Sequence, residues 1–185
     1  MLKLFLLLVL LAFVDLPVAS ADEVLWHALA QGGHVLMVRH ALAPGTGDPA
    51  NFRLGDCTTQ RNLSGAGRAD AQHLGEALLR RGVPVGPVLS SEWCRCRDTA
   101  LLAFGGYEPW PALNSFFAER STEAEQTRAV VARAQHLEPG KNMVLVTHQV
   151  NITAVSGVYP AQSEIVVLRP AAGTLQVVGT LRPVP

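Results

Sequence analysis

Arg39 and His40 close the apolar run Val35-Leu36-Met37-Val38, and two later segments also stop at basic residues, Ser90-Ser91-Glu92-Trp93-Cys94-Arg95 and Val144-Leu145-Val146-Thr147-His148. A histidine neutral on one ring nitrogen is a nucleophile, provided the other nitrogen donates to a carbonyl and so fixes the tautomer. Arginines add permanent charge and forked donors that suit phosphate oxygens without a metal ion. These types fit phosphoryl transfer, in which a nucleophile attacks in line with the leaving oxygen and cations surround the three equatorial oxygens. His40 is the candidate nucleophile, and the other segments supply its cationic partners.

Such residues act together only if the fold brings the ends of their segments to one place. Residues 23–30 read as a helix stopped by Gly32-Gly33, and 35–38 as a buried parallel strand. Residues 39–57 form a loop rich in Gly, Pro and Asp, long enough to suggest that it walls a site. Ser64 offers a helix N-cap, Ala71, Leu74, Ala77 and Leu78 recur at helical spacing, and Arg80-Arg81-Gly82 closes that helix. Beyond it, 85–89 and 143–147 read as strands, 110–113 as a short strand, and 93–104 and 122–135 as helices. The segments 164–168 and 175–181, separated by Pro170-Ala171-Ala172-Gly173, read as antiparallel neighbours. This alternation implies a three-layer α/β/α sandwich with a mostly parallel sheet, whose ligand site lies outside the carboxyl ends of the strands.

The rest of the composition narrows the possibilities. Lys3 precedes the apolar stretch Leu4 to Val14, and Ala19-Ser20-Ala21 follows, which is the order of a secretory leader cleaved before Asp22. Eleven apolar residues bounded by Asp15 and Pro17 fall short of the roughly 20 a spanning helix needs, so no stable membrane anchor is expected. Residues 1–21 are thus read as leader and 22–185 as one domain, periplasmic or secreted. A formal net charge of zero leaves no electrostatic footprint for nucleic acid. Cys94-Arg95-Cys96 lacks zinc-ligand spacing, so no metal is expected.

Four segments in order along the chain resemble the histidine phosphatase superfamily, whose fold is shared with cofactor-dependent phosphoglycerate mutases. Arg39-His40-Ala41 is similar to the signature in which arginine binds phosphate and histidine is phosphorylated, with Ala41 where glycine is more common. Residues 63–71 look like the helix start that follows, and 90–100 like the segment bearing a second phosphate-binding arginine, here Arg95. Val146-Thr147-His148 is similar to the segment whose histidine contacts the phosphate. The resemblance implies a phosphoglycerate mutase-like fold and a cofactor-free phosphomonoester hydrolase of the histidine acid phosphatase type. It also points to Glu119, after the middle strand, as the leaving-group acid, with Glu123, Asp48 and Asp56 as rivals.

Arg61 lies where the loop after His40 returns past the site and is a further substrate-binding candidate. Cys57 is expected to pair with either Cys94 or Cys96, because both segments border the same site in an oxidising compartment. The short chain argues against a mutase. The substrates implied are a phosphorylated small molecule or an envelope glycan phosphate, the latter by resemblance in size, leader and motif style. The alternative is a catalytically weak or inactive phosphate-binding module of the same fold.

Overall fold

The computed structural model describes residues 20–183. The expected leader therefore lies outside the described residues, except that Ser20 caps the first helix, α1 (Ala21–Ala30), by accepting from Glu23 N. Six strands form one sheet: β1 (Val35–Arg39), β2 (Val85–Ser90), β3 (Glu108–Pro109), β4 (Asn142–Thr147), β5 (Ile165–Ala171) and β6 (Thr174–Leu181), in the spatial order β3-β2-β4-β1-β5-β6. The first four of that order run parallel, while β5 is antiparallel to β1 and β6 to β5. The sheet is thus mostly parallel with an antiparallel edge, as read from the sequence.

Each central strand buries both faces, which explains its continuous apolar run. Leu36 and Val38 of β1 join Val144 and Val146 of β4 in one core, against Leu29 of α1, Leu74 and Leu78 of α2 (Gly65–Arg80) and Ala100 of α3 (Cys94–Phe104). Val35 and Met37 join Met143 and Leu145 in the second core, against Val130 of α4 (Glu123–Ala134) and Ile152 of α5 (Gln149–Ser156). Residues 35–38 are fully buried, and burying a side chain of this size contributes about 1.5–3 kcal/mol. Helix α2 begins as expected at Ser64, whose hydroxyl accepts from Gly67 N. It packs so closely on α3 that a side chain on Gly75 would meet the backbone of Ala103.

Two elements differ from the sequence reading. The short strand expected at 110–113 is replaced by the two-residue β3 and a 3-10 turn, Pro111–Leu113. Pro111 has no N–H for a strand ladder and a φ already set for the first helical position. Helix α5 has no counterpart in that reading, since its eight residues include several β-branched ones and little amphipathic pattern. Among the described residues no helix is long and apolar enough to cross a membrane.

Candidate active site

Register gathers the chemistry. Arg39 pairs with Thr147, and Ser90 with Val146, so β1, β4 and β2 end side by side and the next residues, His40, His148 and Ser91, leave the sheet together. Two more ladder-like bonds hold them there, His40 N to Thr147 O at 3.0 Å and Ser91 N to Val146 O at 2.9 Å. Helices α3 and α5 start at this same edge, with their positive dipole ends near the site.

His40 is buried, and its Nδ1 lies 2.9 Å from Ala41 O. A carbonyl only accepts, so Nδ1 carries the proton and Nε2 keeps its lone pair, which is the tautomer a nucleophile needs. Burial, then the charges of Arg95, Arg61 and Arg39, push its pKa down to about 3, despite the opposing bond to Ala41. The imidazole is therefore neutral at ordinary pH. The loop is tied to α3 by Thr99, whose hydroxyl accepts from Ala41 N at 3.0 Å and donates to Arg95 O at 2.7 Å.

His148 is also buried and held neutral, chiefly by burial and next by the charge of Arg95. Arg95 Nη2 approaches its Nδ1 at 3.4 Å, and its Nε2 lies 2.9 Å from Ser91 Oγ. Ser91 Oγ lies 3.2 Å from Asn114 Oδ1 as well, and when it donates instead to His148 Nε2 the ring proton sits on Nδ1, able to donate to an anion in the cleft. Asn114 is itself fixed: its Oδ1 accepts from Glu92 N at 2.9 Å and its Nδ2 donates to Glu92 at 2.7 Å. Ser91 and Asn114 carry no role in the sequence reading, although Ser91 stands just past a strand end and inside the segment 90–100 that carries the resemblance.

Arg39, His40, Arg61, Arg95 and His148 all line one cleft of about 140 Å³, together with Asp48, Phe117, Gln149 and Tyr159. Arg39 Nη1 donates to Pro160 O at 2.8 Å, while its Nε is buried without a hydrogen-bond partner, as is that of Arg95. Arg61 reaches the cleft as expected, braced by bonds to Gly47 O at 2.8 Å and to Ala43 O. The cleft is smaller than the roughly 300–1,000 Å³ of a typical ligand pocket, so it suits a phosphoryl head with the rest of the ligand outside. Phe117 and Tyr159 stand exposed at its mouth.

The structure does not bring Glu119, the residue expected as the acid, into the cleft. Glu119 is exposed, spends its carboxylate accepting from Ser121 N at 2.9 Å, and lines a separate surface hollow with Ser115, Thr122 and Gln126. Glu123 pairs with Arg120, and Asp56 pairs with Arg53 and accepts from Thr58 N. Asp48 is the one of the four candidates that enters the cleft. Its oxygens take Arg95 Nη1 at 2.6 Å and Nη2 at 3.2 Å, Trp93 Nε1 at 3.0 Å and Arg61 N at 3.4 Å. Those donors hold its carboxyl below the usual range although partial burial opposes them.

The open cysteine pairing is decided as Cys57–Cys94, which ties the loop to the start of α3, and Cys96 is left as a buried free thiol. Arg97 points away, donating to Tyr107 at 2.8 Å, and His27, His34, His73 and His136 do not line the cleft.

No family model and no curated protein sequence matches the chain. Solved structures do. The protein histidine phosphatase SixA, determined with tungstate, superposes with a TM-score of 0.56 at 17% identity, covering 81% of this chain and 97% of that one. The fold is phosphoglycerate mutase-like. The α-ribazole phosphatase from Shigella flexneri is similar at TM-score 0.57 and 16% identity over 80% and 96% of the two chains, and a protein from Thermus thermophilus at 0.52 and 19% over 80% and 98%. At these identities the likeness establishes the architecture.

Proposed function

We propose that this protein is a phosphomonoesterase that works through a phosphohistidine at His40, of the histidine acid phosphatase type and exported. The observation that carries the reading is the neutral, Nδ1-protonated His40 facing a cleft lined by three arginines. Arg39, Arg95 and His148 bind the phosphoryl group, and Arg61 assists them. The guanidinium groups of Arg39 and Arg95 line the cleft, where phosphate oxygens would be their acceptors. His40 Nε2 attacks phosphorus, the ester oxygen leaves, and water then hydrolyses the phosphohistidine.

Similar solved proteins are named for a protein phosphohistidine and for a small phosphorylated molecule, so the fold accommodates both classes. For this chain we favour an envelope glycan phosphate or another small phosphate ester. The leader pattern supports export, and the Cys57–Cys94 disulfide supports an oxidising compartment. One observation favours a second reading, a phosphate-binding module without turnover: the carboxylate in the cleft is ion-paired with Arg95 and so is a poor acid as it stands.

The test is a panel of phosphate esters with the purified protein. Turnover should persist in excess chelator, and a rapidly quenched reaction with labelled ester should hold acid-labile, alkali-stable phosphate that His40→Ala lacks. Wild-type turnover by His40→Ala would overturn the nucleophile assignment, and absence of any turnover would leave the binding module.

A further inference from the structure

We propose, resting on the phosphatase reading, that Asp48 is the leaving-group acid and that the substrate itself arms it by taking Arg95 away from it. Asp48 occupies Arg95 as a phosphate would. Two carboxylate oxygens sit on the two terminal nitrogens of a guanidinium that is 3% exposed, while Trp93 and Arg61 supply two further donors. The carboxylate is thus an internal anion on the phosphate-binding arginine. Asp48 belongs to the loop between His40 and the Cys57–Cys94 anchor, not to a helix or strand, and follows Gly45 and Gly47, both in left-handed backbone. It can turn aside without unfolding an element.

A phosphate ester entering the cleft competes for Arg95 and places its own negative charge beside the displaced carboxylate. Losing a cation and gaining an anion both favour the protonated acid. Asp48 therefore takes up a proton when the phosphoryl group binds. In the first half-reaction His40 Nε2 forms its bond to phosphorus, the bond from phosphorus to the ester oxygen breaks, and the Asp48 proton goes to that oxygen. Asp48 is left ionised. In the second, it accepts a proton from the attacking water as the oxygen–phosphorus bond forms, and the phosphorus–nitrogen electrons return to Nε2.

The other charged or titratable groups around Asp48 are Arg39, Arg61 and Arg95, His40 at the end of β1, His148 at the end of β4 and Tyr159 at the mouth. Both histidines are held neutral in the free protein, so each could also gain a proton beside an anion. An Asp48→Asn variant separates their contribution, because amide and carboxyl have the same shape and only one titrates.

The experiment has two arms. In the first, sulfate, a tetrahedral dianion that does not itself titrate here, is bound at several values between about pH 5 and 7, with Trp93 fluorescence as the reporter. Wild-type affinity should fall by up to about tenfold per pH unit as pH rises, and Asp48→Asn should bind more tightly at the upper end with little pH dependence. A pH-independent wild type, or the same slope in Asp48→Asn, overturns the displacement and places any proton on His148 or His40. In the second arm, Asp48→Asn should slow an alkyl phosphate about 10²- to 10⁴-fold and an activated aryl phosphate far less. Equal slowing of both esters, or the same selective loss in Glu119→Gln, overturns the acid role. Sulfate binding as expected in a protein that turns over no ester would overturn the phosphatase reading and the acid role, but not the displacement.

Discussion

His148 depends on a residue that does not line the cleft. Ser91 is buried, and its hydroxyl links His148 Nε2 to Asn114. In Ser91→Ala the imidazole loses that partner, and leaving a buried polar group unsatisfied costs about 1–3 kcal/mol. If the cost falls on the orientation of His148, turnover drops by about 10- to 100-fold. The chain should still fold, since both cores lie on the faces of the sheet rather than at this edge. Steady-state kinetics against unfolding in urea checks this: a loss of stability without loss of turnover would confine Ser91 to packing. Cys96 is a contrasting residue. Burial pushes its thiol up to about 12, so it should resist alkylation in the folded protein and react only after unfolding.

At the scale of elements, the loop after β1 meets the rest of the fold at a covalent tie and at close backbone contacts. The disulfide spans 37 residues and contributes roughly 3–4 kcal/mol through loop closure. Replacing both Cys57 and Cys94 with serine should remove about that much, read as a lower urea midpoint. Thiol counting on the unfolded, unreduced protein should find one thiol, and three would remove the bridge. The helix pair α2 and α3 rests on Gly75. A methyl group there would collide with Ala103 O, so Gly75→Ala should cost about 1–3 kcal/mol by forcing the helices apart, despite the better helix propensity of alanine. A more stable variant would contradict this packing.

Acid response belongs to the whole molecule. His40 has a folded pKa of about 3, against an ordinary 6.5, and His148 is lowered too. Below 6.5 the unfolded chain binds protons that the folded one refuses, so stability is fully present above that value and falls as pH drops towards 3. At its steepest each histidine contributes about 1.4 kcal/mol per pH unit. Asp48 adds to this trend, because a lowered carboxyl pKa favours the folded state above its ordinary 3.8 and loses that advantage in acid. The melting temperature should therefore decline from about pH 6.5 downwards, and added sulfate should reduce the decline by stabilising protonated groups in the cleft. A melting temperature that is flat from about pH 7 to 4 would contradict the burial of both histidines as neutral groups.

The gathering of Arg39, His40, Ser91 and His148 at the strand ends was legible in the sequence because it is local. Apolar runs that stop at Arg39-His40, at Ser90-Ser91 and at Thr147-His148 mark strands whose carboxyl ends must carry those groups, and alternation with helices implies a parallel sheet that aligns those ends. Helix α2 was legible for the same reason, from its cap and its periodicity. Three matters waited for the tertiary structure. Cys57 could have met Cys94 or Cys96, two residues apart, and the turn that begins α3 chose the first. The carboxylate in the cleft is Asp48 rather than Glu119, because Asp48 meets Arg95 across 47 residues of sequence, through a loop without periodicity, while Glu119 is used locally to cap its own turn. The support of His148 by Ser91 and Asn114 joins three separate segments. Local spacing determines which groups reach the edge of the sheet; which of them touch is decided by how irregular segments fold back over that edge, and no period in the sequence encodes that.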